Sequence, residues 1–342
     1  MMIFKNTLCT NAFLFCGWAQ GAAVKRGRGS DVCGRVKDAK ANVNRTRMSA
    51  SQQRREKVSL SRRTILTGAA AQIVLSPVAR AIAEVSSSGR SSEQAVQAFR
   101  EVTALQDLAF EFTNQMRFSD AEVLWSKIIS MNESNAAAYS NRGNCRTSQA
   151  KFKEALDDFE RAIQLAPEEP DSFLGKGVAL EGLRDYEGAL RAYKRSYELS
   201  LQRFGEKDVV ALNNIGNAYG GMGDWQSAYE YYQKAASAES KFVFALANQA
   251  LASYELGDDK KALQTMRFLT RKYPGFGDMH AATAMVLWEQ GDQGGAETEW
   301  YKAVQADVRY EDVHWVQHIR RWPPRLVRIL KRFRGLSHQD DA

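Results

Sequence analysis

From Thr103 onward the pattern of apolar, small and polar positions repeats every 34 residues. Aligned on one alanine, Ala121, Ala155, Ala189, Ala228, Ala262 and Ala296 fall in register at intervals of 34, 34, 39, 34 and 34. Four residues after each stands a large side chain: Trp125, Phe159, Tyr193, Tyr232, Met266 and Trp300. Twelve residues before each lies a small one: Ala109, Gly143, Gly177, Gly216, Ala250 and Ala284. A spacing of four puts alanine and large residue on one face of a helix. The small residue belongs to a preceding helix and lets the two approach closely. The pattern therefore predicts six helical hairpins, over 102–135, 136–169, 170–208, 209–242, 243–276 and 277–310. The 39-residue interval, around LQRFGEKDVVALNNIG, predicts a lengthened helix with a turn at Gly205. A single hairpin cannot bury its apolar face, so neighbours must stack.

Two stretches carry a family resemblance. RGNCRTSQAKFKEALDDFERAIQLAP (142–167) and IGNAYGGMGDWQSAYEYYQKA (215–235) follow the tetratricopeptide-repeat pattern nearly residue by residue, and Pro167 and Pro274 stand where that family places its helix-ending proline. Glu133 and Val308 depart from it at the proline place, and Arg146 replaces a usual large apolar residue. The resemblance covers about 102–310. It implies an all-α chain: a right-handed superhelical solenoid of about six hairpins, with an inner groove lined by the first (A) helix of each. It further implies a non-enzymatic protein that takes no cofactor and holds a peptide or protein partner in that groove.

In such proteins the sixth and ninth residues of helix A commonly face the groove. Here those places include Asn141, Asn144, Asn214, Asn217 and Asn248. An asparagine offers donor and acceptor to an extended backbone, although asparagine at these places also serves packing; both readings stand. One subtype is expected to be absent. The clamp for EEVD-type Hsp70/Hsp90 C-termini needs cations beside two asparagines. Asn217 and Asn248 have the right 31-residue separation, but the cationic places hold Asn213, Asp278 and Ala282. A carboxylate there would lack its charge-assisted partners.

Charge divides the chain. Residues 1–83 carry 15 Lys/Arg against 3 Asp/Glu; residues 84–342 carry 32 against 37, a net of −5. The overall excess of +7 thus belongs to the leader, and an acidic body without a nucleic-acid-binding motif argues against a nucleic-acid partner. Residues 1–60, rich in Arg, Lys, Ser, Thr and Ala, have transit-peptide composition. Mitochondrial and plastid import both accept it, and LCTNAFLFCGWAQGAA could serve as a secretory apolar region. Within 61–83, Arg62-Arg63 precede a short apolar run that ends at Ala81-Ile82-Ala83, resembling a twin-arginine signal with its cleavage site. About 14 helical residues span roughly 21 Å, short of the roughly 30 Å bilayer core, so the segment reads as cleavable. A twin-arginine signal behind a transit peptide resembles the leader of thylakoid-lumen proteins, with 84–101 a linker or first helix. The stroma or the thylakoid surface is the alternative.

The C-terminal DVHWVQHIRRWPPRLVRILKRFRG reads as two capping helices within 311–335, followed by a tail, 336–342. Pro323-Pro324 end one and start the next. Arg320, Arg321, Arg325, Arg328, Lys331 and Arg332 form a basic stripe, read either as a site for anionic lipid or an acidic partner, or as a solvated capping face. The RRWPP stretch resembles the tails of some plant and cyanobacterial repeat proteins. No metal site is expected: His314 and His318 stand one turn apart without a third ligand in phase. Cys145, the one cysteine outside the leader, reads as buried and structural. The expected function is a scaffold in the lumen that assists assembly or maintenance of photosynthetic complexes; the alternative is a membrane adaptor using the basic stripe.

Overall fold

A computed structural model describes residues 92–335. Residues 97–335 belong to one compact unit, and 92–96 belong to a second. Among the described residues there are α-helices and no strands. Six A helices are α1 (Ser92–Asn114), α3 (Ala136–Ser148), α5 (Pro170–Gly182), α7 (Val209–Gly221), α9 (Val243–Glu255) and α11 (Gly277–Glu289). Their B partners are α2 (Phe118–Met131), α4 (Phe152–Leu165), α6 (Tyr186–Phe204), α8 (Trp225–Ala238), α10 (Asp259–Lys272) and α12 (Gln293–Ala306). Each helix from α2 to α12 packs on the next, which makes a superhelical solenoid. A 3₁₀ turn (Val308–Glu311), a short α13 (Val313–Trp315) that runs into a π-helical turn (Val316–Arg320), and α14 (Pro324–Phe333) close it.

The seam between A and B helices forms where the sequence pattern puts it. All six register alanines are fully buried, as are Trp125, Phe159, Tyr193 and Met266. The glycines opposite them touch rings: a Cβ on Gly216 would lie 2.5 Å from the Tyr232 ring, and one on Gly143 would lie 2.9 Å from Phe159. No carbon fits there, so glycine sets the interhelical distance. Where alanine replaces it, at Ala109, Ala250 and Ala284, the facing side chains are Trp125, Met266 and Trp300. Met266 is buried and Trp300 is only half-buried.

Turns repeat as faithfully as helices. Each A helix ends in a left-handed residue: Met116, Ala150 and Arg184 in the first three hairpins, then Gly223, Gly257 and Gly291. Directly after it, Asp185, Asp224, Asp258 and Asp292 cap their B helices by accepting a backbone N–H three residues on. The lengthened helix is α6, 19 residues against 14 in α4, and it closes on Gly205 at φ 69°.

Arg146, which breaks the family pattern, is only half-buried. Its guanidinium reaches Glu122 of α2 at 2.9 Å and Asp158 of α4 at 2.8 Å, while Arg142 pairs with Asp158 at 2.7 Å. An ionic lattice thus replaces an apolar contact between the first two hairpins. Burial alone would raise the Glu122 carboxyl, but hydrogen bonds from Lys151, Arg146 and Gln149 outweigh it and pull its pKa down to about 2.

Two consequences are measurable. Gly216→Ala should lower the melting temperature: helix propensity favours alanine by about 1 kcal/mol, but intrusion on a buried ring costs about 1–3 kcal/mol. Ala150→Gly should act oppositely, since relief of the left-handed strain is worth up to about 1 kcal/mol net. Because the folded-state pKa of Glu122 lies below its ordinary 4.5, the stability it contributes is complete above that value and lost as pH falls toward 2. Glu122→Gln should therefore destabilise at pH 7, with a gap to wild type that closes in acid denaturation series.

Candidate functional site

The A helices α7, α9 and α11 present polar side chains to one another. Asn248 of α9 donates to Asn213 Oδ1 of α7 at 3.0 Å, Asn217 donates to Asn214 Oδ1 at 3.4 Å, and the Tyr232 hydroxyl donates to Asn217 Oδ1 at 3.0 Å. Asn213, Asn214 and Asn248 are buried. On α3, Asn141 donates to its own helix at Ala137 O, and Asn141 and Asn144 are both half-buried. The five asparagines therefore divide: α7 and α9 bring three together, joined by Asn213, and α3 carries two elsewhere.

What meets the α7–α11 face is the chain's own C-terminal segment. Arg320 donates to Asn248 Oδ1 at 3.0 Å and grips Asp278 of α11 through Nε at 3.0 Å and Nη2 at 2.5 Å. Asp278 is 2% exposed and accepts further bonds from Trp322 Nε1 and the Tyr310 hydroxyl, each at 2.9 Å. Burial, with the Asp278 carboxylate beside it, holds the Tyr310 phenol well above its usual pKa and hence as a neutral donor. Arg321 takes a left-handed conformation, φ 56°, and pairs with buried Glu181 at the end of α5. Such a conformation costs about 1–2 kcal/mol outside glycine; here it turns the chain from the π-helical turn toward α14.

Next, α14 lies across α9 and α11. Leu326, Val327, Ile329 and Leu330 join the core, and Phe333 packs edge-on against Trp288 and Trp300. Its first turn is fixed by acids of α9 and α10: the Arg325 backbone N–H donates to Glu255 at 2.8 Å, and the Arg325 guanidinium lies bidentate on Asp259 at 2.6 and 2.8 Å, 4.0 Å above the Tyr254 ring. A carboxylate at a helix N-terminus and a bidentate arginine are both favourable arrangements.

The expected basic stripe is thus mostly paired within the chain, and half of it, Arg320, Arg321 and Arg325, is drawn into the fold. Arg320, Arg321, Arg325 and Arg332 pair with Asp278, Glu181, Asp259 and Glu289. Arg328 and Arg332 stay exposed, and Lys331 is half-buried. The acids that receive these arginines, Asp278, Glu181, Asp259 and Glu289, with Glu255 at the Arg325 backbone N–H, are not among the expected site residues. Asp278 and Glu181 nevertheless stand out as carboxylates among the small and apolar residues of A helices. Arg62, Arg63, Ala81 and Ala83 lie outside the described residues.

Chemistry elsewhere is sparse. The Cys145 thiol, pushed up to about 12 by burial, is no nucleophile near neutrality. His280 is buried between Glu299 and the Pro274 carbonyl. Among the described residues no group of three or more His, Cys, Asp or Glu side chains is placed to hold a metal ion, and no helix is long and apolar enough to cross a membrane.

The tetratricopeptide-repeat family matches residues 136–169, 168–238 and 248–311. Over those residues the hairpins are tetratricopeptide repeats. Over 88 residues this chain is 28% identical to Hsp70-Hsp90 organizing protein 2 of Arabidopsis thaliana, 26% of this chain and 15% of that one. Over 92 residues it is 33% identical to heat shock protein STI1 of Saccharomyces cerevisiae, 27% of this chain and 16% of that one. The match spans about a sixth of each relative. A solved TPR protein from Parabacteroides merdae shares the fold at 15% identity and TM-score 0.53, over 70% of this chain and 91% of its own.

Breaking a buried, hydrogen-bonded ion pair costs about 3–5 kcal/mol. Asp278→Asn should therefore loosen the C-terminal segment of the TPR array, exposing Arg325, Arg328 and Lys331 to trypsin in the otherwise folded protein. Unchanged protection of those sites, read by mass spectrometry, would show that Asp278 is not the anchor.

Proposed function

We propose that this TPR protein is a non-enzymatic scaffold that holds a peptide or protein partner on its A-helix face. The observation that carries this is Asn141 and Asn144, half-exposed side by side on α3, which offer donors and acceptors to an extended backbone. Its relatives include proteins named as organizers of Hsp70 and Hsp90. A C-terminal-carboxylate clamp of the EEVD type is not part of the proposal, since Asp278 stands at one of its cationic places and is already occupied by Arg320.

The compartment proposed is the thylakoid lumen, on the strength of the bipartite leader and its Arg62-Arg63 pair, and the role is assembly or maintenance of photosynthetic complexes by analogy with plastid TPR proteins. The alternative adaptor, tethered to membrane by the C-terminal stripe, is disfavoured by the pairing of three of its six cations, Arg320, Arg321 and Arg325, inside the fold.

A photocrosslinker at position 144 of the imported protein should capture a defined partner in intact thylakoids, and Asn141→Arg should reduce that capture at least several-fold. Replacement of Arg62 and Arg63 by lysine should abolish delivery to the lumen. Capture that ignores Asn141→Arg would remove the groove reading; undiminished delivery would remove the lumenal one.

A further inference from the structure

Seating the C-terminal segment on the A helices leaves one recess between them, a cavity of about 370 Å³. Its floor is aromatic. Tyr186 and Trp225, at the starts of α6 and α8, lie against two glycines that end α7: a Cβ on Gly221 would lie 2.5 Å from the Tyr186 ring, and one on Gly220 would lie 3.1 Å from Trp225. The Gly220-Gly221 pair thus leaves these rings room that larger residues would take.

The wall formed by the C-terminal segment is cationic. Of the 18 residues around the cavity none is Asp or Glu, while four are Arg or Lys, and His318 joins them. The carboxylates that meet Arg320 and Arg321, Asp278 and Glu181, lie outside this lining. Arg328 and Lys331 sit three residues apart on α14 and so share a face. Burial first, then the neighbouring His314, Arg184 and Lys331 charges, lowers the pKa of His318. Asn217 completes the lining; Tyr232 occupies its carbonyl, so what it can present is an N–H.

Size decides what enters. One turn of helix, 5.4 Å long and 10–12 Å across, fills roughly 400–600 Å³. A docked helix is therefore too large, and an extended segment of two or three residues fits. We propose that this recess binds a short acidic peptide segment, a Glu or Asp beside an apolar or aromatic side chain, with the carboxylate toward Arg328 and Lys331 and the apolar group on Tyr186 and Trp225. The site rests on the scaffold reading and names the chemistry of its partner. It differs from a carboxylate clamp in that its cations come from the C-terminal segment and not from the A helices.

The probe is a fluorescein-labelled, C-terminally amidated peptide, Ser-Glu-Phe-Glu-Ser, titrated with the full chain by fluorescence anisotropy. Charge-assisted contacts at two cations predict a Kd of about 10–100 μM, at least ten-fold weaker for the Gln-for-Glu peptide and at least ten-fold weaker for the Arg328→Gln, Lys331→Gln double variant. Trp225→Phe, which keeps a ring in place, should weaken binding several-fold without loss of the thermal transition. Equal binding of the Gln peptide, no effect of the double variant, or no peptide binding beside firm binding to phosphatidylglycerol vesicles would each overturn the proposal. Crosslinking through position 144 is independent of this recess, so its persistence after such a failure would leave the scaffold reading standing.

Discussion

Close approach of two helices at a residue with little or no side chain is the constraint on which the molecule depends. A ring from helix B laid on glycine of helix A brings backbones near enough to bury the register alanine completely. Dispersion forces fall steeply with distance, so a gap of about half an ångström already forfeits roughly a quarter or more of each contact. The hairpin geometry follows from these contacts, and the stacking follows from the hairpins. Each leaves an apolar face that only its neighbour can cover.

From the third hairpin onward the array adds a different principle. Its A helices carry buried acceptors, Asp278, Glu181 and Asn248, that would be costly to leave unpaired. The C-terminal segment supplies donors to all three: Arg320 and Trp322 to Asp278, Arg321 to Glu181, and Arg320 again to Asn248. The polar interior and the basic tail are therefore halves of one network. Neither half is satisfied without the other, which makes the tail part of the folded domain and not an appendage to it.

Function depends on the surfaces this arrangement leaves open. The tail occupies the face of α9 and α11 and covers much of its asparagine lining. It leaves Asn141 and Asn144 on α3, and it creates a recess with cations on one wall and rings on the floor. A scaffold whose tail helps to form the binding surface can link recognition to the state of that tail. Disturbing Asp278 would then be felt at a pocket it does not line.

The repeat was legible because it is local. Ala121, Trp125 and their counterparts obey a fixed spacing along one helix, and proximity in sequence enforces proximity in space. Even Gly205, which closes the lengthened α6, could be read from the 39-residue interval. The aspartate caps after four of the six A-helix turns, Asp185, Asp224, Asp258 and Asp292, are equally visible as a recurring residue type. The fate of the basic stripe was not legible. Charge counting treats Arg320 and Arg321 as solvated, and nothing in the local sequence says that Asp278 lies 42 positions away and Glu181 140 positions away. Periodicity dictates which face of a helix is buried, whereas pairing across long separations depends on the superhelical path that returns the tail to the groove. Hairpins and their seams were thus written locally into the chain, because short-range packing rules govern them. Which cations became internal, and where an open pocket remained, was settled only on folding, because both depend on how the accumulated curvature of the stacked hairpins meets the tail.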